Sequence, residues 1–191
     1  MRLLSEIIDI VDKRSTDETT SPPHMIGSKF QRDRIKHVCE ATLKLFEGDI
    51  LEIGCHVGNT TIILCELARK YKRRVLAVDP WDGNQQGDEN VYRQFTKKTE
   101  EYSDVLSVYR YRSQDNVIHD LINNSNICFS FIDGLHTYDA CKADIELCKN
   151  NSGIMCVDDL SWAKELRYLF EERSFEKYYN PTCREGYFVV P

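Results

Sequence analysis

The chain has 191 residues, of which 41% are hydrophobic, and its formal net charge at pH 7 is −6. This length and apolar content predict a single domain with a substantial core. Because nucleic-acid binding needs clustered Lys and Arg, the acidic balance argues against a nucleic-acid partner. We also expect no membrane partner, since no apolar run is long enough to span a bilayer and acids interrupt the N-terminal segment.

The eight cysteines indicate the compartment. They form no C-x-x-C pair and show no metal-finger spacing, and several lie within apolar runs. A cysteine in such a run behaves as a small buried hydrophobic residue, and unpaired cysteines are typical of a reducing environment. We therefore expect a cytoplasmic location.

The sequence predicts two unequal parts. Apolar residues between Leu3 and Val11 recur at helical spacing, which predicts a short amphipathic helix. Residues 13–24 are polar and contain Pro-Pro, a composition typical of a linker or a lid. We therefore predict an N-terminal helix with a polar linker or lid over residues 1–24, and the main domain over residues 25–191.

The main domain begins with a second amphipathic helix, and short apolar strands then alternate with helices. Strands are predicted at 49–54, 74–79, 105–111, 127–133 and 153–159, with two more in 175–191. Helices are predicted near 35–46, 63–71, 90–101, 114–122, 141–148 and 161–172. This alternation predicts a doubly wound α/β fold, a mostly parallel seven-stranded, Rossmann-like sheet with helices on both faces and an antiparallel C-terminal strand.

The end of the first strand, LEIGCHVGNTT, has the character of a ligand-binding turn. Gly54 and Gly58 let the backbone turn tightly, and Asn59 or Thr60 can cap the helix that follows. The dinucleotide fingerprint G-x-G-x-x-G is not matched. Glu52 stands just before the turn, where an acid conflicts with a pyrophosphate but not with a sulfonium cation.

The end of the second strand offers a ribose-binding acid. Asp79 can accept hydrogen bonds from both ribose hydroxyls, in NAD or in S-adenosylmethionine alike. ILEIGCHVGNTT together with VLAVDPWDG resembles motifs I and II of class I S-adenosylmethionine-dependent methyltransferases, over residues 48–160. His56 stands where that family often has a small residue. The alternative is another nucleotide-binding α/β turn.

The resemblance implies a set of cofactor contacts. Glu52, Gly54 and Gly58 would shape the methionine and ribose end, and Asp79 would hold the ribose. Trp81 would lie near the adenine or serve packing. The full cofactor-binding set that we predict is Glu52, Gly54, Gly58, Asn59, Thr60, Asp79, Trp81, Ser113, Gln114 and Asp133.

Acids also follow the fourth and fifth strands. Asp133 ends the fourth, and Asp158 and Asp159 end the fifth, so three carboxylates would converge if these strands are neighbours. Such convergence is costly without a cation, and oxygen donors favour Mg²⁺, with Mn²⁺ or Ca²⁺ as alternatives. His136 could then act beside the metal as a general base. The alternative is that these are solvated loop residues.

The segments IDGLHTYDACKADIELC and GIMCVDDLSW resemble the metal-dependent sugar O-methyltransferases of the macrocin and mycinamicin type. In that family the acids hold a Mg²⁺ that chelates two adjacent sugar hydroxyls, and the histidine removes a proton. The resemblance implies that Asp133, Asp158 and Asp159 are metal ligands and that His136, with Asp133, is catalytic. The implied partner is a small-molecule or glycan acceptor with adjacent hydroxyls; a homo-oligomer, or a place in a larger glycan-building protein, stays open.

Other functions are weighed against this one. A catechol-type acceptor satisfies the same metal. Methyl transfer to nitrogen is disfavoured, because the [DN]-P-P-[YF] loop of DNA amino-methyltransferases is absent here. A non-catalytic S-adenosylmethionine-binding module would tend to lose its charged site. A nicotinamide-dependent dehydrogenase would need the glycines of the dinucleotide fingerprint, which the turn after the first strand lacks. Residues 82–90 are predicted as a lid or a mobile loop, and His24 and Met25 as a cover for the cofactor.

Overall fold

The computed structural model describes residues 2–15, 29–82, 88–150 and 153–190. His24, Met25 and most of the predicted 82–90 lid lie outside these ranges. The helices are α1 Arg2–Arg14, α2 Lys29–Leu45, α3 Asn59–Tyr71, α4 Asp88–Thr99, α5 Asn116–Asn123, α6 Tyr138–Cys148 and α7 Lys164–Glu172, with a 3₁₀ turn at Glu100–Tyr102. The strands are β1 Asp49–Ile53, β2 Val75–Val78, β3 Leu106–Tyr109, β4 Ile127–Ile132, β5 Gly153–Val157, β6 Glu176–Tyr179 and β7 Gly186–Val190.

Within the described residues the strands form one seven-stranded sheet in the order β3-β2-β1-β4-β5-β7-β6. All neighbours pair in parallel except β7, which runs antiparallel to both β5 and β6. The predicted fold class is therefore confirmed. The order reverses at β1, whose neighbours are β2 and β4, and such a switch point is where ligands bind in open α/β sheets.

The core lies on both faces of the sheet, because the central strands are apolar throughout. Every residue of β2, β4 and β5 is buried. Successive side chains of a strand point to opposite faces, so Ile50 packs with α1, α2 and α3 while Leu51 packs with α5, α6 and α7. Helices on both faces explain why these strands lack the polar alternation of a half-exposed sheet.

Two details of the predicted helices are wrong. The cap of α3 is Gly58, with a φ of 82°, so neither Asn59 nor Thr60 caps this helix. Residues 161–163 form a turn, not the first turn of α7, because the backbone N–H groups of Trp162 and Ala163 both donate to the Asp159 carbonyl. The turn redirects the chain after β5 and leaves Trp162 at the sheet edge.

The N-terminal helix α1 packs on the main domain through Ile7 and Val11, which are fully buried. Asp12 accepts hydrogen bonds from Tyr178 and Asn180, which lie on and after β6. The division at residue 24 stays a prediction. Among the residues that the structure describes, none of the helices combines the length and apolar character needed to cross a bilayer. All eight cysteines are buried thiols.

Candidate active site

The carboxyl ends of β1, β2, β4 and β5 meet at one edge of the sheet. Hydrogen bonds continue the ladder by one residue there: the N–H groups of Gly54, Asp133 and Asp158 donate to the last residues of the neighbouring strands at 2.8–3.0 Å. The sequence therefore folds its polar strand ends into one row, as parallel pairing requires.

Gly54 is where the strand β1 and the loop after β4 approach most closely. A Cβ atom on Gly54 would lie 2.0 Å from the carbonyl oxygen of Asp133, and the φ of Gly54 is 86°. No side chain fits this contact, and only glycine adopts this conformation at no steric cost. Gly54 thus permits the turn after β1 and the loop after β4 to lie side by side.

Asp79 organises the turn after β1. Its Oδ2 accepts hydrogen bonds from the backbone N–H groups of Cys55 and His56, each at 2.9 Å, and its Oδ1 accepts from the Trp81 N–H at 2.7 Å. His56 has a φ of 48°, in the left-handed region. A residue with a side chain adopts that conformation at a cost of about 1–2 kcal/mol.

Trp81 stabilises the same turn through ring packing and a hydrogen bond. Its buried ring packs against Tyr92 and Phe95, with ring centroids at 4.9 and 4.6 Å. Its indole N–H donates to the carbonyl of His56 at 2.8 Å. These contacts give Trp81 a packing role, and its contact with adenine stays a prediction.

Glu52 lies fully buried beside this turn. Among the described residues neither of its carboxylate oxygens makes a hydrogen bond of standard geometry, although the Thr61 hydroxyl and the Cys55 thiol lie close enough to affect its pKa. Burial raises the pKa of Glu52 to about 8, and the charges of Asp133 and Asp79 add to the shift. A buried acid that lies among other acids fits a site that receives positive charge.

Asp133, His136 and Asp159 form what we call the acid–histidine trio. Nε2 of His136 lies 2.8 Å from Oδ2 of Asp159 and 3.4 Å from Oδ1 of Asp133. In the described part of the chain, the trio is the group that could supply three ligand atoms to one metal ion, all within 4.8 Å of one another. The structure thus brings together side chains that follow two neighbouring strands, and of the three carboxylates predicted to converge this group contains Asp133 and Asp159.

Asp158 is oriented differently from Asp159. Its Oδ1 accepts hydrogen bonds from the side chain of Gln31 on α2 and from the backbone N–H of Asp159, both at 2.6 Å. Burial raises its pKa well above the usual range, and the charges of Asp133 and Asp159 raise it further. The structure does not bring Asp158 into the trio, and its role as a metal ligand stays a prediction.

Asp159 is held by two groups that sequence reasoning missed. Its Oδ1 accepts a hydrogen bond from the Trp162 indole N–H at 2.6 Å and an ion-paired hydrogen bond from Arg184. Arg184 comes from the β6–β7 hairpin, and its neighbour Glu185 pairs with the buried Arg34 of α2. These contacts leave Oδ2 of Asp159 facing His136.

The charged groups of the trio shift the pKa values of one another. Hydrogen bonds to Asp133 and Asp159 raise the pKa of His136 to about 10. Burial raises the pKa of Asp133 to about 6. Hydrogen bonding to His136 and the charge of Arg184 lower the pKa of Asp159 against the opposing effect of burial. The imidazolium of His136 and the guanidinium of Arg184 are therefore the positive charges that offset the two carboxylates.

The geometry agrees with the family to which the sequence is similar. Residues 51–160 match the family described as a methyltransferase domain. The chain belongs to this methyltransferase family. The match covers more than half of the chain, and with the strand order it makes the protein a class I S-adenosylmethionine-dependent methyltransferase. No curated protein sequence matches the chain.

Solved structures share this fold. The S-adenosylhomocysteine-bound methyltransferase PaMTH1 of Podospora anserina superposes with a TM-score of 0.63 at 14% identity, over 97% of this chain and 87% of that one. CalS11, a TDP-rhamnose 3′-O-methyltransferase of calicheamicin biosynthesis, has a TM-score of 0.63 at 16% identity, over 98% and 91%. Cofactor-bound Rv0187 from MTB has a TM-score of 0.57 at 17% identity, over 99% and 90%.

The residues of the methyltransferase fit its cofactor. S-adenosylmethionine carries a sulfonium and an ammonium, and the buried Glu52 offers a carboxyl group that is not paired with a cation among the described residues. Asp79 is fixed by three backbone N–H groups, and its Oδ1 keeps lone-pair capacity for a ribose hydroxyl. Gly58 begins α3, while the Asn59 side chain accepts a hydrogen bond from Lys98 at 2.7 Å. Direct contacts of Asn59 and Thr60 with the cofactor stay predictions.

Replacement of Glu52 by glutamine is expected to flatten the pH dependence of stability. Burial raises the pKa of Glu52 from its ordinary value of 4.5 to about 8 in the folded chain. The folded state therefore binds the extra proton between these values, so the free energy of unfolding falls as pH rises from 4.5 to 8 and is level above. Glu52→Gln removes this slope, which is about 1.4 kcal/mol for each pH unit between the two pKa values.

Urea unfolding of both proteins between pH 5 and 9, without cofactor, measures this difference. The comparison of variant with wild type cancels the other titrating groups. Parallel profiles would show that Glu52 titrates normally in the folded chain.

Asp144 contacts two residues of the predicted cofactor-binding set, Ser113 and Gln114. Its Oδ1 accepts hydrogen bonds from the hydroxyl of Ser113 at 2.5 Å and from the side-chain amide of Gln114 at 3.2 Å. A Cβ atom on Gly134 would lie 3.0 Å from its Oδ2. Burial raises the pKa of Asp144 to about 6. Sequence reasoning missed it, although an acid on the apolar stripe of α6 is a signal that could have found it.

Removal of the Asp144 carboxyl is expected to weaken cofactor binding. Asp144→Ala leaves Ser113 and Gln114 without their shared acceptor, so we expect a roughly tenfold higher Kd for S-adenosylhomocysteine, the equivalent of one or two hydrogen bonds. Asp144→Asn keeps an acceptor oxygen and should retain most of the affinity. Isothermal titration calorimetry measures both, with the exposed Asp120→Ala as control. Equal Kd values for Asp144→Ala and the control would contradict this role.

Proposed function

We propose that the methyltransferase transfers the methyl group of S-adenosylmethionine to one hydroxyl of a vicinal diol, most simply on a sugar or glycan, with the help of a divalent cation. The observation that carries this proposal is the acid–histidine trio, with Nε2 of His136 at 2.8 Å from Asp159 and 3.4 Å from Asp133. A base and two carboxylates lie together at the edge of the sheet where the cofactor binds.

The donor set of the trio fits a divalent cation. Two carboxylates are the ligands that Mg²⁺ prefers, with Mn²⁺ as an alternative, and His136 would stand beside the ion with Nε2 available to take a proton. Oδ1 of Asp159 is occupied by Arg184 and Trp162, so Oδ2 is the oxygen that would face the ion. A bound cation would lower the pKa of a coordinated hydroxyl.

His136 would hold the proton that the acceptor loses. Without a cation, Asp133 and Asp159 keep His136 protonated, because both carboxylates raise its pKa to about 10. With a divalent cation held by Asp133 and Asp159, these carboxylates would stabilise the imidazolium less, and His136 would be able to accept a proton at neutral pH. In the transfer, the acceptor oxygen bonds to the methyl carbon as the carbon–sulfur bond breaks. The acceptor proton passes to Nε2 of His136, and S-adenosylhomocysteine leaves.

The sugar class has support from comparison as well as from the sequence. CalS11, whose fold this chain shares, is described as a TDP-rhamnose 3′-O-methyltransferase. The spacing of Asp133 and His136 supports the same class. A catechol-type acceptor offers the same pair of adjacent hydroxyls and is the second candidate.

Transfer of labelled methyl from S-adenosylmethionine to a panel of methyl glycosides and catechols tests the proposal. The panel is run with Mg²⁺, with Mn²⁺ and with EDTA. Metal-dependent transfer to glycosides is the expected result. Transfer to catechols alone would change the acceptor class, and transfer that EDTA does not affect would contradict the metal site.

A further inference from the structure

Trp162 is a large apolar side chain that is both exposed and held in place. It is 40% exposed, in a chain whose other tryptophan, Trp81, is buried. Its indole N–H donates to Oδ1 of Asp159 at 2.6 Å, and its backbone N–H donates to the carbonyl of the same residue at 3.3 Å. An exposed indole with a fixed orientation resembles a binding surface more than a side chain left in solvent.

The turn that carries Trp162 is itself rigid. Arg167 on α7 donates to the carbonyls of Leu160 and Ser161 at 2.9 and 2.7 Å. Leu160 is fully buried beneath the turn. The indole is therefore preorganised, and an occupant of its face would not have to order it.

The indole borders the acid–histidine trio directly. The rings of Trp162 and His136 meet edge to face, with centroids 5.2 Å apart and an interplanar angle of 75°. Leu135, the residue before His136, is 67% exposed on the loop after β4. Two strand-end loops thus place apolar groups beside the proposed base.

We propose that Trp162 is the acceptor platform of the methyltransferase, on which the C–H face of a pyranose ring packs while two adjacent hydroxyls at its edge reach Asp133, His136 and Asp159. The inference rests on the proposed function and names the ring form of its acceptor. The face of an indole is electron-rich and attracts the positive edge of C–H groups.

A pyranose fits this surface better than a flat aromatic diol. Small planar ligands bind in pockets that cover most of their surface. Here His136 and Leu135 are both exposed, so the described residues form an open surface with the Trp162 ring on one side. An open surface can bind the sugar of a larger glycoside, because the remaining parts of the glycoside can extend into solvent.

Two measurements test the platform. The first compares kcat/KM for a methyl pyranoside and for an acyclic diol, 2,3-butanediol, in wild type, Trp162→Ala and Trp162→Phe. Both variants lose the hydrogen bond to Asp159 and should share any loss on the acyclic diol, whereas on the pyranoside we expect Trp162→Ala to lose about tenfold more than Trp162→Phe. Trp162→Phe removes the hydrogen bond to Asp159 but keeps an aromatic face, so it should keep most of the preference. The exposed Val117→Ala on α5 is the control.

The second measurement does not depend on methyl transfer. The indole N–H signal of Trp162 in an ¹H–¹⁵N NMR spectrum, assigned by its loss in Trp162→Phe, is followed during titration with the pyranoside and with 2,3-butanediol. A saturable shift with the pyranoside alone supports the platform, even if no methyl is transferred and the proposed function fails. No shift, or an unchanged pyranoside preference in Trp162→Ala, overturns the platform while leaving the proposed function intact.

Discussion

Asp159→Asn is expected to lower methyl transfer by about 10³-fold or more, because a metal that activates a hydroxyl contributes several kcal/mol and each 1.36 kcal/mol is tenfold in rate. Asp159 is the buried member of the trio, and its Oδ2 faces His136 at 2.8 Å. An amide at this position can neither balance the cation nor stabilise a protonated His136. Turnover with labelled cofactor and Mn²⁺ binding by electron paramagnetic resonance measure the two losses separately.

The matched control is Asp139→Asn, which removes one negative charge from an exposed position on the first turn of α6. Asp159 also pairs with Arg184, so its loss could unfold the chain, and thermal unfolding of the variant is measured beside activity. Asp133→Asn gives a second variant in which Arg184 keeps its partner. Full turnover and Mn²⁺ binding in a folded Asp159→Asn would rule out the metal site.

His136→Gln is expected to lower kcat by about 10²–10⁴-fold, the usual contribution of a general base. Glutamine can hydrogen-bond to Asp133 or Asp159 but cannot accept a proton. The Kd for S-adenosylhomocysteine should not change, since His136 is not among the residues predicted to contact the cofactor. The measurement is kcat together with cofactor Kd, because a merely structural role for His136 would change both.

His119→Gln, at an exposed position on α5, is the control for the loss of an imidazole. The pH dependence of kcat adds a second test. In wild type with saturating metal, activity should rise with pH through the pKa of His136 and then level, because the base must be unprotonated. If His136→Gln keeps the wild-type kcat and the same profile, His136 is not the base.

Much of the architecture could be predicted because its signals are local. Continuous apolar runs such as ICFSFI predict buried strands, and the intervening amphipathic segments predict helices on both faces. The residues that end those strands then lie at one edge in any parallel sheet. For that reason the sequence is enough to single out Asp79, Asp133, His136 and Asp159, and the fold places them along that edge.

The orientation of the neighbouring acids could not be predicted in this way. Asp158 and Asp159 are adjacent in the sequence, yet Asp158 turns to Gln31 and Asp159 turns to His136. The difference arises because Asp159 adopts the left-handed conformation, with a φ of 64°, and because α2 packs behind β5. The residue types around Asp158 and Asp159 predict neither the dihedral angle of Asp159 nor the packing of a helix that is distant in the sequence.

The sequence by itself determined the sheet, the turn after β1 and the acids that end the strands, because hydrophobic periodicity and strand-end residues are properties of short segments. Only the tertiary structure decided which groups support them. Gln31 reaches Asp158 across 127 residues of chain, and Asp144 reaches Ser113 across 31. Arg184 and Trp162 were likewise brought to Asp159 by the hairpin and the turn that pack there. Such contacts depend on how whole elements pack, and a buried polar group is satisfied by whichever partner that packing provides.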